Sequence, residues 1–468
     1  MNLKFVNRKS EKRFLEDSYK KGGLQVIVIY GRKRVGKTEL IKEFIKDKDA
    51  IYLLADQRGT AKNLERFAKQ LQEFFSLPPL KIDSFEDAFK IVVGKVKKKK
   101  LIVVIDEFSY LIEKDHALAS VFQFSIDEIL KKTNIFLILC GSSIGMMERS
   151  VLSYKSPLYG RRTGQIRLKP IEFKDLKSFF PKYSMRELVE AYGILGGIPA
   201  YLKLFDPNVD VFKNIEDTFF IKEHLFYQEP EIILKEELRE PKVYFNLLEA
   251  MAKGRTKLTD ISNLAGINAK DAGSYLNTLM ELDLVERIYP ITEKKPKSKK
   301  TIYFIKDNFF VFWFRFILGN RERIERGQPE VLLEEIKKEF QMHISKIFEK
   351  VCMEFLWTKQ SFPFTKIGKW WSRENEIDLV ALNKQTREIL FAECKWQDKK
   401  VDERVIKNLI EKSKLVDWNK NKRKERFALF SRSGFTGACL DFCKKNRVMV
   451  FDIDSLEEIF KGDQKGNG

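Results

Sequence analysis

Gly31-Arg32-Lys33-Arg34-Val35-Gly36-Lys37-Thr38-Glu39 decides how the first half of this chain is read. It follows the apolar run Val26–Tyr30 and opens a helical pattern, so the order is strand, tight turn, helix. The glycines let the backbone turn until successive N–H groups point at phosphate oxygens. The helix that follows adds the positive end of its dipole. Lys37 is placed to reach the β- and γ-phosphates of a nucleotide, and the Thr38 hydroxyl to ligate magnesium. Arg32, Lys33, Arg34, Val35 and Glu39 complete the stretch that wraps the ligand.

A second motif fits the first. Leu101-Ile-Val-Val-Ile-Asp106-Glu107 ends a continuous apolar strand in two carboxylates. Asp106 is expected to hold the magnesium through water, and Glu107 to polarise the attacking water. With a strand lying between the two motifs, the adjacent Asp-Glu pair belongs to P-loop ATPases with an added catalytic glutamate. Ile135–Leu139 then runs into Cys140-Gly141-Ser142-Ser143, where Ser142 is placed to sense the γ-phosphate. In Ser156-Pro-Leu-Tyr-Gly-Arg161-Arg162-Thr163, one arginine is a candidate clamp on the γ-phosphate, within the chain or from a neighbouring subunit. The second case implies a homo-oligomer. Apolar strands alternating with helical periods mean a parallel sheet covered on both faces.

A chain of 468 residues is too long for one core. The expected organisation is α/β and multidomain. Residues 1–170 form the P-loop ATPase core and 171–240 a helical lid broken at Gly193–Pro199. In 241–308, three apolar helices are followed by two strands with a Lys-rich loop between them, a winged helix-turn-helix pattern. Residues 309–345 read as a helical linker that opens on an aromatic segment, and 346–460 return to strands and helices.

Lys and Arg number 87 against 67 Asp and Glu, a net charge of +20 that points to a polyanion: nucleic acid first, an anionic membrane surface second. Lys270 and Asn277 are polar on the expected recognition helix, and Lys294, Lys295, Lys297, Lys299 and Lys300 form the expected wing tip. The five cysteines form no CxxC pair and read as reduced thiols of a cytoplasmic protein. Phe309–Leu318 is too short to span a bilayer and contains Arg315, so no membrane insertion is expected.

In the last hundred residues, Asp378 precedes Glu393-Cys394-Lys395. Side chains at i and i+2 of a strand share a face, so Glu393 and Lys395 point one way and Cys394 the other. An antiparallel neighbour brings Asp378 alongside. This resembles the PD-(D/E)xK restriction-endonuclease-like core. Asp378 and Glu393 would hold Mg2+ or Mn2+, Lys395 would position the water, and Glu349 on an upstream helix would support them.

The whole chain resembles the archaeal ATPases of the AAA+/STAND superfamily. The likeness is carried by Phe5-Val-Asn7-Arg8, the P-loop, LIVVIDEF, CGSSIGMM, SPLYGRRTGQI, GGIPAYL from Gly196 to Leu202, and the aromatic segment after Asp307. Members join the ATPase to a winged helix and often to an endonuclease-like domain. The resemblance implies that Asn7 and Arg8 lie near the adenine, that Arg161 or Arg162 contacts phosphate, and that Pro199 lies near the base. The expected function is ATP binding and hydrolysis, with magnesium, in a protein that binds and processes DNA. The alternative is a nucleotide switch that binds DNA or protein without cutting.

Overall fold

The computed structural model describes residues 7–97, 99–293, 300–359 and 362–466. The chain separates into two compact units. The first comprises Met1–Ile171, Ile198–Ala200 and Glu281–Asp283, and the second takes the remainder.

The first unit is built on β1 (Gln25–Tyr30), β2 (Ala50–Leu54), β3 (Leu101–Asp106), β4 (Ile135–Gly141) and β5 (Gly164–Arg167). They form one sheet in the order β2-β3-β4-β1-β5, and every neighbouring pair is parallel. The apolar runs account for this: β3 and β4 are buried along their whole length, as strands covered on both faces must be. The spacing of Leu64, Phe67, Ala68 and Leu71 does place them on the buried stripe of helix Thr60–Phe75. Phe67, Phe85, Phe89, Phe108 and Phe122 interlock in the core on that side. Parallel register aligns the C-terminal ends of β1, β3 and β4, because Tyr30 pairs with Gly141 and Ile105 with Leu139. All three functional loops therefore leave the same edge. At that edge Gly31 is required by space: a Cβ there would lie 2.3 Å from the Leu168 carbonyl oxygen.

In the second unit, helices Pro241–Ala252, Leu258–Ala265 and Ala269–Glu281 precede the antiparallel pair β6 (Val285–Ile288) and β7 (Ile302–Ile305). These are the elements the sequence pattern requires at 241–308. Lys294, Lys295, Lys297 and Lys299 lie outside the described residues. The aromatic segment expected as one core helix is Asn308–Phe312 continued by a wider turn, Trp313–Ile317, and its rings are buried.

The expected boundary between 345 and 346 is corrected. Both sides of it belong to a single helix, Pro329–Lys359, of 31 residues. After Pro329 the segment has no Gly or Pro, and Leu332, Ile336, Phe340, Ile344, Ile347, Val351 and Phe355 are buried in turn along it. Nothing in the chain interrupts the ladder of hydrogen bonds. The C-terminal sheet follows, with β8 (Lys366–Ser372), β9 (Asn375–Asn383), β10 (Glu388–Lys395), β11 (Lys424–Ser431) and β12 (Met449–Asp452). The strands lie in sequence order; β8, β9 and β10 are antiparallel, and β10, β11 and β12 parallel. No helix among the described residues is long and apolar enough to cross a membrane.

Glu354 on the long helix accepts the backbone N–H groups of Phe173 (3.0 Å) and Lys174 (2.9 Å). Burial pushes its pKa up to about 7, against the pull of those two donors, from an ordinary 4.5. The folded chain therefore holds this proton more tightly than the unfolded one. The stability it contributes is complete below pH 4.5 and is lost as the pH rises to about 7. Glu354→Gln should remove that slope, so the stability of wild type relative to the variant should fall by on the order of 3 kcal/mol across the window. Denaturant melts at both pH extremes check it; parallel curves for the two proteins would exclude a titrating Glu354.

Candidate functional site

At the shared edge of the first sheet, the chain leaves β1 through Gly31 and enters helix Lys37–Ile45 after Gly36, whose φ of 94° is left-handed. The loop carries a second left-handed residue, Arg34, at φ 67°. Alternation of this kind turns successive N–H groups toward one concavity, which suits phosphate. Lys37 is buried, and its ammonium donates to the carbonyls of Gly31 and Arg32, both at 2.9 Å. The lysine thus spans its own loop.

Asp106 has no solvent exposure. Its Oδ2 accepts the Thr38 hydroxyl at 2.8 Å and the Tyr52 hydroxyl, and its Oδ1 accepts the Glu107 N–H at 2.9 Å. Burial first, and then the Asp106 carboxylate, push the Tyr52 phenol upward, so it remains a donor. Oxygen atoms of Thr38 and Asp106 within hydrogen-bond distance of each other are a fitting donor pair for Mg2+. Glu107, in a left-handed conformation at φ 54°, accepts from the Ser142 hydroxyl at 2.6 Å and from its N–H at 3.2 Å. The structure thus brings Thr38, Asp106, Glu107 and Ser142 together. Tyr52 was not read from the sequence; β2 delivers it only because β2 pairs with β3.

Arg8 is buried, and its guanidinium donates to the carbonyls of Val35 in the loop (3.1 Å) and Lys169 after β5 (2.6 Å). Asn7 is exposed beside it. Pro199 begins the short helix Pro199–Leu202, and Ile198–Ala200 belong to the first unit.

The positions of Arg161 and Arg162 follow from the register of β5 on β1. Thr163 donates its N–H to Val26 at the start of β1, whereas the phosphate loop leaves β1 after Tyr30. Four residues of strand separate the two ends, on the order of 13 Å. Arg161 is engaged there by Asp127, with Nε–O distances of 2.9 and 3.1 Å, and Arg162 reaches the Leu152 carbonyl at 3.4 Å. Both arginines therefore sit toward the start of β1, away from the phosphate loop.

The second cluster lies on the C-terminal sheet. One carboxylate oxygen from each of Glu349, Glu376 and Asp378 lies within 4.8 Å of the others. Glu376 and Asp378 are i and i+2 on β9 and so share a face, while Glu349 comes from the long helix. Lys369 on β8 pairs with Glu349 and lies 3.7 Å from Glu376. The Asp378 Oδ2 accepts the Cys394 N–H at 2.8 Å. Burial, followed by the Glu393 and Glu349 charges, pushes Asp378 up to about 7. Glu349 is raised chiefly by burial, with Lys369 opposing.

Glu393, expected as a metal ligand, lies close to Asp378 and is held by lysines. Its Oε1 is held by Lys395 at 2.9 Å and Lys412 at 3.5 Å, and it is not one of the three clustered acids. Its Oε2 is buried without a hydrogen-bond partner among the described residues. Glu349, expected in support, is a full member of the cluster, and Glu376 is a member that sequence reasoning passed over. The i, i+2 spacing of Glu376 and Asp378 was the available signal.

With both sites in view, the comparisons can be stated. Residues 5–205 match the model of an ATPase domain predominantly from Archaea, and residues 313–406 a family of archaeal and bacterial proteins of unknown function. An uncharacterized protein of Methanocaldococcus jannaschii is 40% identical over 419 residues, covering 88% of this chain and 92% of that protein. Among solved structures, a Walker-type ATPase of Pyrococcus abyssi is similar, with a TM-score of 0.49 and 22% identity over 66% of this chain and 96% of its own. The Aeropyrum pernix ORC2 protein is similar at a TM-score of 0.40 and 14% identity, over 68% and 95%.

Glu107→Gln should leave ATP affinity nearly unchanged and slow turnover by about 100-fold or more, the size expected for losing a general base. Equilibrium binding and steady-state phosphate release, measured on the same preparation, check this; undiminished turnover would remove Glu107 from that role.

Proposed function

We propose that this chain, which belongs to the archaeal P-loop ATPase family of that Methanocaldococcus relative, joins ATP hydrolysis in its first unit to metal-dependent DNA cleavage in its second. The observation that carries the second half is the convergence of Glu349, Glu376 and Asp378 from a helix and a strand onto one point.

For ATP, Lys37 and the loop N–H groups hold the phosphates, Thr38 and Asp106 hold magnesium, and Glu107 takes the proton of the attacking water. Arg161 or Arg162 serves a neighbouring subunit's phosphate, and Asn7, Arg8 and Pro199 lie toward the base. Magnesium supplies charge neutralisation on the phosphates when bound.

For DNA, Lys270 and Asn277 are exposed on helix Ala269–Glu281, and the chain's surplus of positive charge favours phosphate contacts. Glu349, Glu376 and Asp378 would hold a divalent ion, which supplies a Lewis acid at the phosphodiester when bound. Burial lowers the Lys395 pKa, but Glu393 and then Asp378 outweigh it, so the net shift is upward and the side chain stays cationic. It is available to neutralise charge that develops on phosphate, while Glu393 orients it. The reaction is hydrolysis: a water oxygen adds to phosphorus, the P–O3′ bond breaks, and the leaving oxygen takes up a proton.

A second reading, a nucleotide switch that binds without cutting, is favoured by one observation. Lysines already neutralise acids at this site, Lys369 on Glu349 and Lys395 with Lys412 on Glu393.

Wild type and Asp378→Ala, purified side by side, should differ on single-stranded, duplex and branched DNA with Mg2+ or Mn2+. Wild type is expected to cut at least one form, with loss of about 100-fold or more in the variant and unchanged ATPase turnover. Equal cutting by both would place the activity elsewhere, and no cutting by wild type on any form would select the switch.

A further inference from the structure

A cavity of about 780 Å3 opens within the second unit, between β6, β7, the start of β8 and the long helix Pro329–Lys359. It is large enough for a small organic ligand, and ligand pockets commonly fall in this range. Its lining carries seven Lys and Arg side chains against three Glu, so its net charge is positive. Two of those pairs cancel internally, Lys369 with Glu349 and Arg315 with Glu339. The rest do not. Lys350 donates to the Lys306 carbonyl (3.3 Å) and the Asn308 side chain (3.2 Å), and Lys366 to the Ile291 carbonyl (2.9 Å). Neither meets a carboxylate within ion-pair distance among the described residues. Arg287 and Lys346 stand exposed at the same cavity.

The remaining lining is apolar and partly aromatic: Tyr289, Phe304, Ile291, Ile347 and Met353. A cavity with a flat apolar side and unpaired cations fits a ligand that has a flat face and an anionic group. Burial lowers the pKa of Lys366, and a bound anion would relieve that cost.

The geometry points to this cavity as a binding site for a nucleoside monophosphate unit, with the base against Tyr289 and Phe304 and the phosphate among Lys346, Lys350, Lys366 and Arg287. The unit has two sources, a free nucleotide or one residue of a DNA strand. The site stands apart from the P-loop: a monophosphate lacks the β- and γ-phosphates that Lys37 reaches, so the two are separable. The cavity borders the acidic cluster, since Glu349 and Lys369 also line it, but the four cations assigned to the phosphate are not members of that cluster, and the test reads binding rather than cutting.

The test is equilibrium binding to the full-length Lys37→Ala protein, in which the P-loop is disabled. The probes are AMP, dAMP, and 5′-phosphorylated di- and trithymidylate. Two variants in that background keep the fold and change the cavity. Arg287→Ala with Lys346→Ala removes two exposed charges. Gly368→Leu fills space: a Cβ there makes only ordinary contacts with Ile291, at 3.7 to 3.9 Å, and its φ is not left-handed. Binding should weaken at least tenfold in the charge variant and be lost in the filled one, with unchanged thermal melts. Binding of AMP or dAMP identifies a free nucleotide as the ligand, and binding of the oligonucleotides alone identifies a strand. Failure of all probes to bind at up to about 1 mM, or binding indifferent to both variants, overturns the assignment.

Discussion

A carboxylate without solvent exposure, Asp106 at the end of β3, is the constraint on which the first unit's site depends. A buried charge is costly unless donors surround it, and removing one partner of a buried charge costs about 3–5 kcal/mol. Here the donors come from three places: the Thr38 hydroxyl from the phosphate-loop helix, the Tyr52 hydroxyl from β2, and the N–H of Glu107. Satisfying Asp106 therefore fixes the helix, the neighbouring strand and the following turn against each other. That same turn sets Glu107 against Ser142. The functional edge is assembled by the need to pair one acid, and the oxygens that pair it suit a divalent ion.

The second unit meets a similar problem with different partners. Its acids are held by lysines: Lys369 spans Glu349 and Glu376, and Glu393 lies between Lys395 and Lys412. Within this cluster Asp378 relies on a backbone donor, and its proton is held up to about 7 by burial and by the acids beside it. The two sites thus differ in how they wait. One is neutralised by hydroxyls that are themselves suitable ligands, the other by cations that must yield to an ion or a phosphate.

What was legible in the sequence was local. The loop from Gly31 to Thr38 and the pair Asp106–Glu107 depend only on strand, turn and helix in succession, and the apolar runs gave the sheet its parallel character. What was not legible depended on register and packing. Tyr52 reaches Asp106 because β2 happens to lie beside β3, and nothing in its own neighbourhood says so. Arg161 pairs with Asp127, 34 residues earlier, on a helix whose placement no spacing rule supplies. Lys369 and Glu349 meet from a strand and a helix. The boundary drawn at 345 falls inside the continuous helix Pro329–Lys359. Glu376 is the instructive omission, since its shared face with Asp378 was readable from the spacing.

The most direct measurement is an anomalous-scattering map from crystals of the full-length protein grown with Mn2+ and a non-hydrolysable ATP analogue. Two manganese peaks are expected, one ligated by Thr38 with Asp106 close by, the other by Glu349, Glu376 and Asp378 with the Lys369 side chain displaced. A single peak at the P-loop, with Lys369 still paired to Glu349, would contradict the assignment of the second unit as a metal-dependent site.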